Sequence, residues 1–370
     1  MLFDKNRMDA LLKYKFNGLD RSLLYYHCSL KYWDRILNVI PKWVAPNAIT
    51  LMGFIAMFIQ TGCVLYADPN LLGGKKWLPM ISAIVMWFYS TMDCIDGMQA
   101  RKTGAKSPLG QLFDHGVDSV VCTFIMLCIS SAIGLKNKKT VFFLLASAQT
   151  IFYWVTSKEY YTHLFYLGLI GPTEAIAIGC IFLLVLSIVG REKVLHPTVW
   201  ISNNLDLIIQ GVCFLIWAIG TVYYIVDIWI STKFGITQDM SFLQKNMILW
   251  PHVLFVLLQV LSVLSVVTSN SINLNTVFYS YISICTVCFS LFTTLIIFSH
   301  QTASPIEIPS LIIFLAAMAN LSIVFVSAKK ISLVITVLNA ISVLYYLSYV
   351  TNIIDGYLTT LRIPFFFNNC

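Results

Sequence analysis

The chain has 370 residues, of which 58% are hydrophobic and only 11% charged, with a mean hydropathy of +0.79. That composition excludes a soluble globule and describes a chain that crosses a membrane many times. The net charge of +7 lies beside apolar stretches and forms no long basic run, which points to anionic lipid headgroups and argues against nucleic acid as a partner.

Residues 1–45 hold eight Lys/Arg (Lys5, Arg7, Lys13, Lys15, Arg21, Lys31, Arg35, Lys42) and no secretory pattern, so this segment is expected on the cytosolic side. From Leu19 to Trp43 aromatic and leucine residues alternate with basic ones, which predicts an amphipathic helix in the membrane interface; a solvated basic leader is the alternative. Apolar runs of about 20 residues then predict ten spans, near 48–66, 77–96, 113–134, 140–158, 174–190, 206–228, 249–268, 275–298, 308–327 and 331–352. The predicted fold class is therefore all-α, a polytopic membrane protein of about ten transmembrane helices. An even number of spans puts both termini on one side, and the loop 97–112 at the cytosolic surface.

Between the second and third spans the chain concentrates its acids. Asp93 and Asp96 stand three apart, and Asp114 and Asp118 four apart. If both stretches are helical, each pair shares a face with side chains about 5–6 Å apart, and two such faces opposed make a four-carboxylate cage. Charge at such a depth is costly and is retained for a pathway or a reaction. Hard oxygen ligands in this number suit Mg²⁺, Mn²⁺ or Ca²⁺ rather than zinc.

The residues between the acids narrow the chemistry. Gly97 and Ala100 lack bulk on the acidic side, so a flat or phosphorylated ligand can approach the backbone. Arg101 supplies a forked donor for phosphate. Two divalent ions bridging a diphosphate are a recurrent solution to phosphoryl displacement, so the spacing suggests transfer of a phosphorus-centred group.

Ten cysteines are scattered, mostly within spans. The Cys285/Cys288 pair has no second pair and reads as core packing.

Over Asp93, Asp96, Gly97, Ala100, Arg101, Gly110, Asp114 and Asp118 the sequence resembles the CDP-alcohol phosphotransferase signature at every fixed position. The stretches from Tyr14 to Leu24, from Trp43 to Thr50 and from Gly171 to Glu174 look like its eukaryotic choline/ethanolaminephosphotransferase branch. The resemblance covers residues 10–175. It implies a ten-helix homodimer in the endoplasmic reticulum or Golgi membrane, with the active site facing the cytosol. Residues 1–45 would be an interfacial segment, 46–230 a catalytic six-helix unit and 231–370 a four-helix unit for dimer and lipid contacts.

The implied reaction is attack by diacylglycerol on the β-phosphorus of CDP-choline or CDP-ethanolamine, releasing CMP. Asp93, Asp96, Asp114 and Asp118 carry over as ligands of two Mg²⁺ or Mn²⁺ ions, and Gly97, Ala100, Arg101 and Gly110 as nucleotide-site residues. Departures are few. Lys102 stands where many relatives have a second arginine, Gln111 where many have glutamate, and the segment 157–161 lacks a tryptophan.

The attacking hydroxyl needs a base. Asp118 is one candidate, weakened as a base if it binds metal. His115, whose unperturbed imidazole titrates near 6.5, is the other. Glu174, opening the fifth span, either orients His115 as in other base–orienter pairs or serves the helix dipole. Asn47 either bonds the nucleotide or caps the first span; Lys106 either meets phosphate or is a solvated loop residue. The roles of Glu159 and His163, on the same side, stay open.

Two rivals remain. One is another CDP-alcohol transferase, of the inositol or glycerol phosphate type. The other is a cation transporter, disfavoured because residues 205–370 offer no second acidic cluster.

Overall fold

The computed structural model describes residues 3–24, 30–168, 171–195, 199–234 and 242–366. Among them the helices run, in order, α1 (Lys5–Lys13), α2 (Leu30–Val39), α3 (Pro46–Ala67), α4 (Trp77–Thr103), α5 (Pro108–Ile133), α6 (Lys138–Thr162), α7 (Pro172–Val189), α8 (Arg191–Leu195), α9 (Val199–Phe234), α10 (Phe242–Thr268), α11 (Asn275–Gln301), α12 (Ser310–Phe325) and α13 (Ala328–Leu361). Two strands, β1 (Gly18–Asp20) and β2 (Phe165–Leu167), and a 3-10 turn at Ser271–Asn273 are the other regular elements described.

Nine helices among the described residues are long and apolar enough to cross a membrane, and the all-α polytopic class holds. The span expected at 308–327 is α12, apolar but only 16 residues long. Pro305, Glu307 and Pro309 precede it, and the rigid prolines delay its start.

The chain forms two compact units that interleave in sequence. One comprises residues 1–14, 137–164 and 206–355, and so holds α1, α6, most of α9, α10 to α12 and most of α13; the other comprises 15–136, 165–205 and 356–370. The sequence reading divides the chain at 230/231 instead. In the first unit, α11 is the most buried span and packs on α6 and α12.

The second unit carries the acidic motif. Here α4 packs on α3, α5 and α7 around Met57, Met86, Tyr89, Val121 and Leu183. Gly53 lets α3 close onto α4, since a Cβ there would come within 3.1 Å of the Met92 Cβ. Small residues permit such approaches where lipid gives no hydrophobic drive to helix association. Helix α4 ends at Gly104, whose φ of 71° is left-handed and suits a glycine C-cap. Three residues on, Ser107 caps α5 by accepting from the Gly110 N–H at 3.1 Å, with Pro108 in the first turn.

Among the described residues, helix does not run the whole way from Leu19 to Trp43 as expected. Residues 18–20 instead form a parallel ribbon with 165–167. The helix described is α2, whose Trp33, Ile36 and Leu37 recur at helical spacing and, with Ile40 just past its end, pack with Ile95 and Met98 of α4. Its apolar stripe is thus covered by protein. Residues 25–29 lie outside the described residues.

Candidate active site

Helical periodicity puts Asp93, Asp96, Gly97 and Ala100 on one side of α4, and Gly110, Asp114 and Asp118 along α5. Asp93, Asp114 and Asp118 each offer a carboxylate oxygen, and the three atoms lie within 4.8 Å of one another. All three residues are half-buried. Asp93 reaches both Asp114 and Asp118, and Asp114 Oδ1 is buried with no hydrogen-bond partner. Three carboxylates this close repel one another unless they share protons or a cation lies among them, and the donor set fits a hard divalent ion.

Asp96 stands slightly apart. It is 5% exposed, lies against Asp114 and accepts the Thr50 hydroxyl from α3. The structure thus gathers three of the four predicted carboxylates and ties the fourth to Thr50. On the far side the Tyr89 hydroxyl donates to Asp118. Sequence reasoning missed both supporting residues. Tyr89 was the more accessible, because it stands one turn before Asp93 on α4. Thr50 comes from a different helix.

A Cβ built on Gly97 would meet only Arg101 Nη1, at 3.5 Å. That leaves the acid-bearing side of α4 open at Gly97, with the guanidinium lying over it. Gly110 sits where α3 and α5 begin, 3.6 Å from Ser107 Oγ and 3.9 Å from Asn47 Oδ1 measured from its built Cβ. Asn47 is buried and is no cap: Ala45 holds that position, and the Asn47 amide donates to the Phe365 carbonyl at 3.2 Å. The first turns of α3 and α5 meet here, each opened by a proline, and the Gly110 N–H is held by Ser107. Ala100 is half-buried; Lys106 is exposed in the loop between α4 and α5. Lys102 is turned away, donating to the Leu37 carbonyl of α2 at 2.9 Å.

His115 follows Asp114 with its Nδ1 buried and without a partner, and its ring packs on Phe165 of β2 at 5.0 Å between centroids. Glu174 is not its orienter. One Glu174 oxygen accepts the Gly171 N–H at 2.8 Å and the other the Leu24 N–H at 2.7 Å. Both acceptors are committed to backbone, the first to the Gly171 N–H, where the acid closes the start of α7. The helix-terminus reading of this acid is the one the geometry supports.

A family model described as CDP-alcohol phosphatidyltransferase matches residues 43–232. The chain is 36% identical over 197 residues to cholinephosphotransferase 1 of Saccharomyces cerevisiae, covering 53% of this chain and 50% of the relative. It is 37% identical over 187 residues to choline/ethanolaminephosphotransferase 1 of Arabidopsis thaliana, covering 50% and 47%. It is also 38% identical over 179 residues to a CDP-diacylglycerol–serine O-phosphatidyltransferase of Encephalitozoon cuniculi, covering 48% and 46%. The chain thus spans about half the length of the curated relatives it matches.

Proposed function

The chain belongs to the CDP-alcohol phosphatidyltransferase family, and from that membership we propose that it transfers phosphocholine or phosphoethanolamine from the CDP-alcohol to diacylglycerol, releasing CMP. The observation that carries this reading is the convergence of Asp93, Asp114 and Asp118 from the two helices of the signature.

In this reading Asp93, Asp114 and Asp118 hold Mg²⁺ or Mn²⁺, with Asp96 alongside. When bound there, such ions would supply positive charge to offset that of the diphosphate. Gly97 and Ala100 let the nucleotide lie against α4, and Arg101 presents its fork to a phosphate. Gly110 and Asn47 line the other side, where α3 and α5 begin; Lys106 adds charge in the loop. As the diacylglycerol oxygen bonds to the β-phosphorus and the pyrophosphate bond breaks, the proton passes to His115 Nδ1. His115 is preferred over Asp118 because its Nδ1 has no partner, whereas Asp118 accepts from Tyr89. The site opens to the cytosolic face of an endoplasmic reticulum or Golgi membrane, and the protein works as a homodimer.

The test is CMP release by purified protein given diacylglycerol with CDP-choline or with CDP-ethanolamine. A parallel reaction supplies CDP-diacylglycerol and serine, the substrates in the name of the Encephalitozoon relative. Turnover with either CDP-alcohol supports the proposal; turnover only in the serine reaction overturns it.

A further inference from the structure

A second cluster of ionisable groups lies in the first unit, where α6 ends and α11 ends. His300, in the last turn of α11, has a side chain only 8% exposed. Its Nε2 lies 3.6 Å from Glu159 Oε1, and its Nδ1 is buried with no partner. Glu159 is itself 3% exposed and accepts the Tyr14 hydroxyl at 3.2 Å. His163, which caps α6 with a left-handed φ of 52°, sets its ring 5.2 Å from that of His300, tilted by 31°.

We infer that His163 and His300 form a two-imidazole site for a zinc-like divalent cation, with Glu159 fixing His300 in the ligand tautomer. Three observations carry it. First, two imidazoles sharing a tetrahedral ion, with metal–nitrogen bonds of about 2.0–2.1 Å, place their ring centroids about 5 Å apart, which is the separation seen. Second, metal-bound histidines commonly donate their other ring nitrogen to a carboxylate. Here Nε2 lies 3.6 Å from Glu159 Oε1, an ion-pair distance just beyond a hydrogen bond, which leaves Nδ1 as the nitrogen for a ligand.

Third, a buried ring nitrogen with no partner is a cost that the fold would retain for a ligand. His163 is exposed, which gives an ion a path from water, and water completes the coordination. Nitrogen ligands separate this site from the acidic cluster, because imidazole selects zinc and copper whereas carboxylates suit magnesium and manganese. An ion here would tie the end of α6 to the end of α11, against the Tyr14 side chain that follows α1.

The experiment measures zinc affinity of the full-length protein in detergent, by competition with a chromophoric chelator and with Mg²⁺ in large excess to fill the carboxylate cluster. Copper is then substituted, and its resonance spectrum is read for imidazole nitrogen couplings. The wild type should keep one zinc per chain, with nitrogen couplings in the copper form. His163→Ala and His300→Ala should each weaken zinc at least tenfold and remove the couplings. Glu159→Gln should weaken it by about 10–100-fold, as loss of an outer-shell carboxylate typically does, and Asp93→Asn should leave it unchanged. His163 is at an exposed position, so its variant tests the site even if His300→Ala does not fold. Wild-type zinc affinity in His163→Ala, or loss of zinc in Asp93→Asn, overturns the assignment.

Discussion

The Tyr89 hydroxyl donates to Asp118 across the contact between α4 and α5, and Tyr89 is almost wholly buried. The bond fixes one metal-facing carboxylate against rotation and occupies one of its lone pairs. Removing it should loosen the cluster without emptying it. Tyr89→Phe is expected to weaken Mn²⁺ binding by about 10–100-fold, the usual effect of losing an outer-shell partner, with activity recovering at high Mn²⁺. Binding followed by manganese resonance alongside CMP release measures both. Unchanged Mn²⁺ affinity would mean that Asp118 needs no support from α4.

Asp114 is the acid with a buried oxygen left without a partner, so it should be the one most dependent on a cation. Asp114→Asn and Asp93→Asn are each expected to abolish transfer and to remove the divalent-dependent part of CDP-alcohol binding. In the wild type EDTA should stop CMP release, and added Mg²⁺ or Mn²⁺ should restore it. Full turnover in chelator, or in either variant, would refute the carboxylate cluster as a metal site.

His115 and Glu174 should separate in kind. If His115 takes the proton, His115→Ala should lower kcat by about 10²–10⁴, the range for a positioned base, while CDP-alcohol affinity by calorimetry stays near wild type. Glu174→Gln places an amide where both oxygens now accept backbone N–H groups. It should therefore cost about 1–3 kcal/mol of stability and leave kcat nearly intact in the folded fraction. A kcat loss in Glu174→Gln equal to that of His115→Ala would restore the base–orienter pair.

The carboxylate cluster was legible because helical periodicity fixes which residues share a face, and spacings of three and four leave little freedom. What supports the cluster was not. Thr50 reaches Asp96 from another helix, and Glu174 meets the Leu24 amide 150 residues away in sequence; no local pattern encodes either contact. Tyr89 was within reach as the residue one turn before Asp93, but 18 tyrosines compete for notice. The ribbon of Gly18–Asp20 with Phe165–Leu167 is too short for alternation to appear. The places of the spans were legible but not their lengths: α4, α9 and α13 run to 27, 36 and 34 residues because a helix continues past its apolar run, while α12 starts late at a proline boundary.

Arg101 and Lys102 are adjacent and equally charged, yet the helix sends them different ways. Arg101 lies over the open side of Gly97, where a diphosphate would rest in the proposed reaction. Lys102 reaches the Leu37 carbonyl of α2. A charge-assisted hydrogen bond is worth about 1.5–3 kcal/mol, or roughly 10–150-fold in affinity. Arg101→Ala is therefore expected to raise KM for the CDP-alcohol by at least tenfold, and Arg101→Lys to recover only part of it, because the planar fork is lost. Lys102→Ala should leave KM within about twofold and lower thermal stability slightly, since it removes one exposed tie to α2. Steady-state CMP release with each variant decides between them. A larger KM effect from Lys102→Ala than from Arg101→Ala would move the phosphate contact to the α2 side of α4.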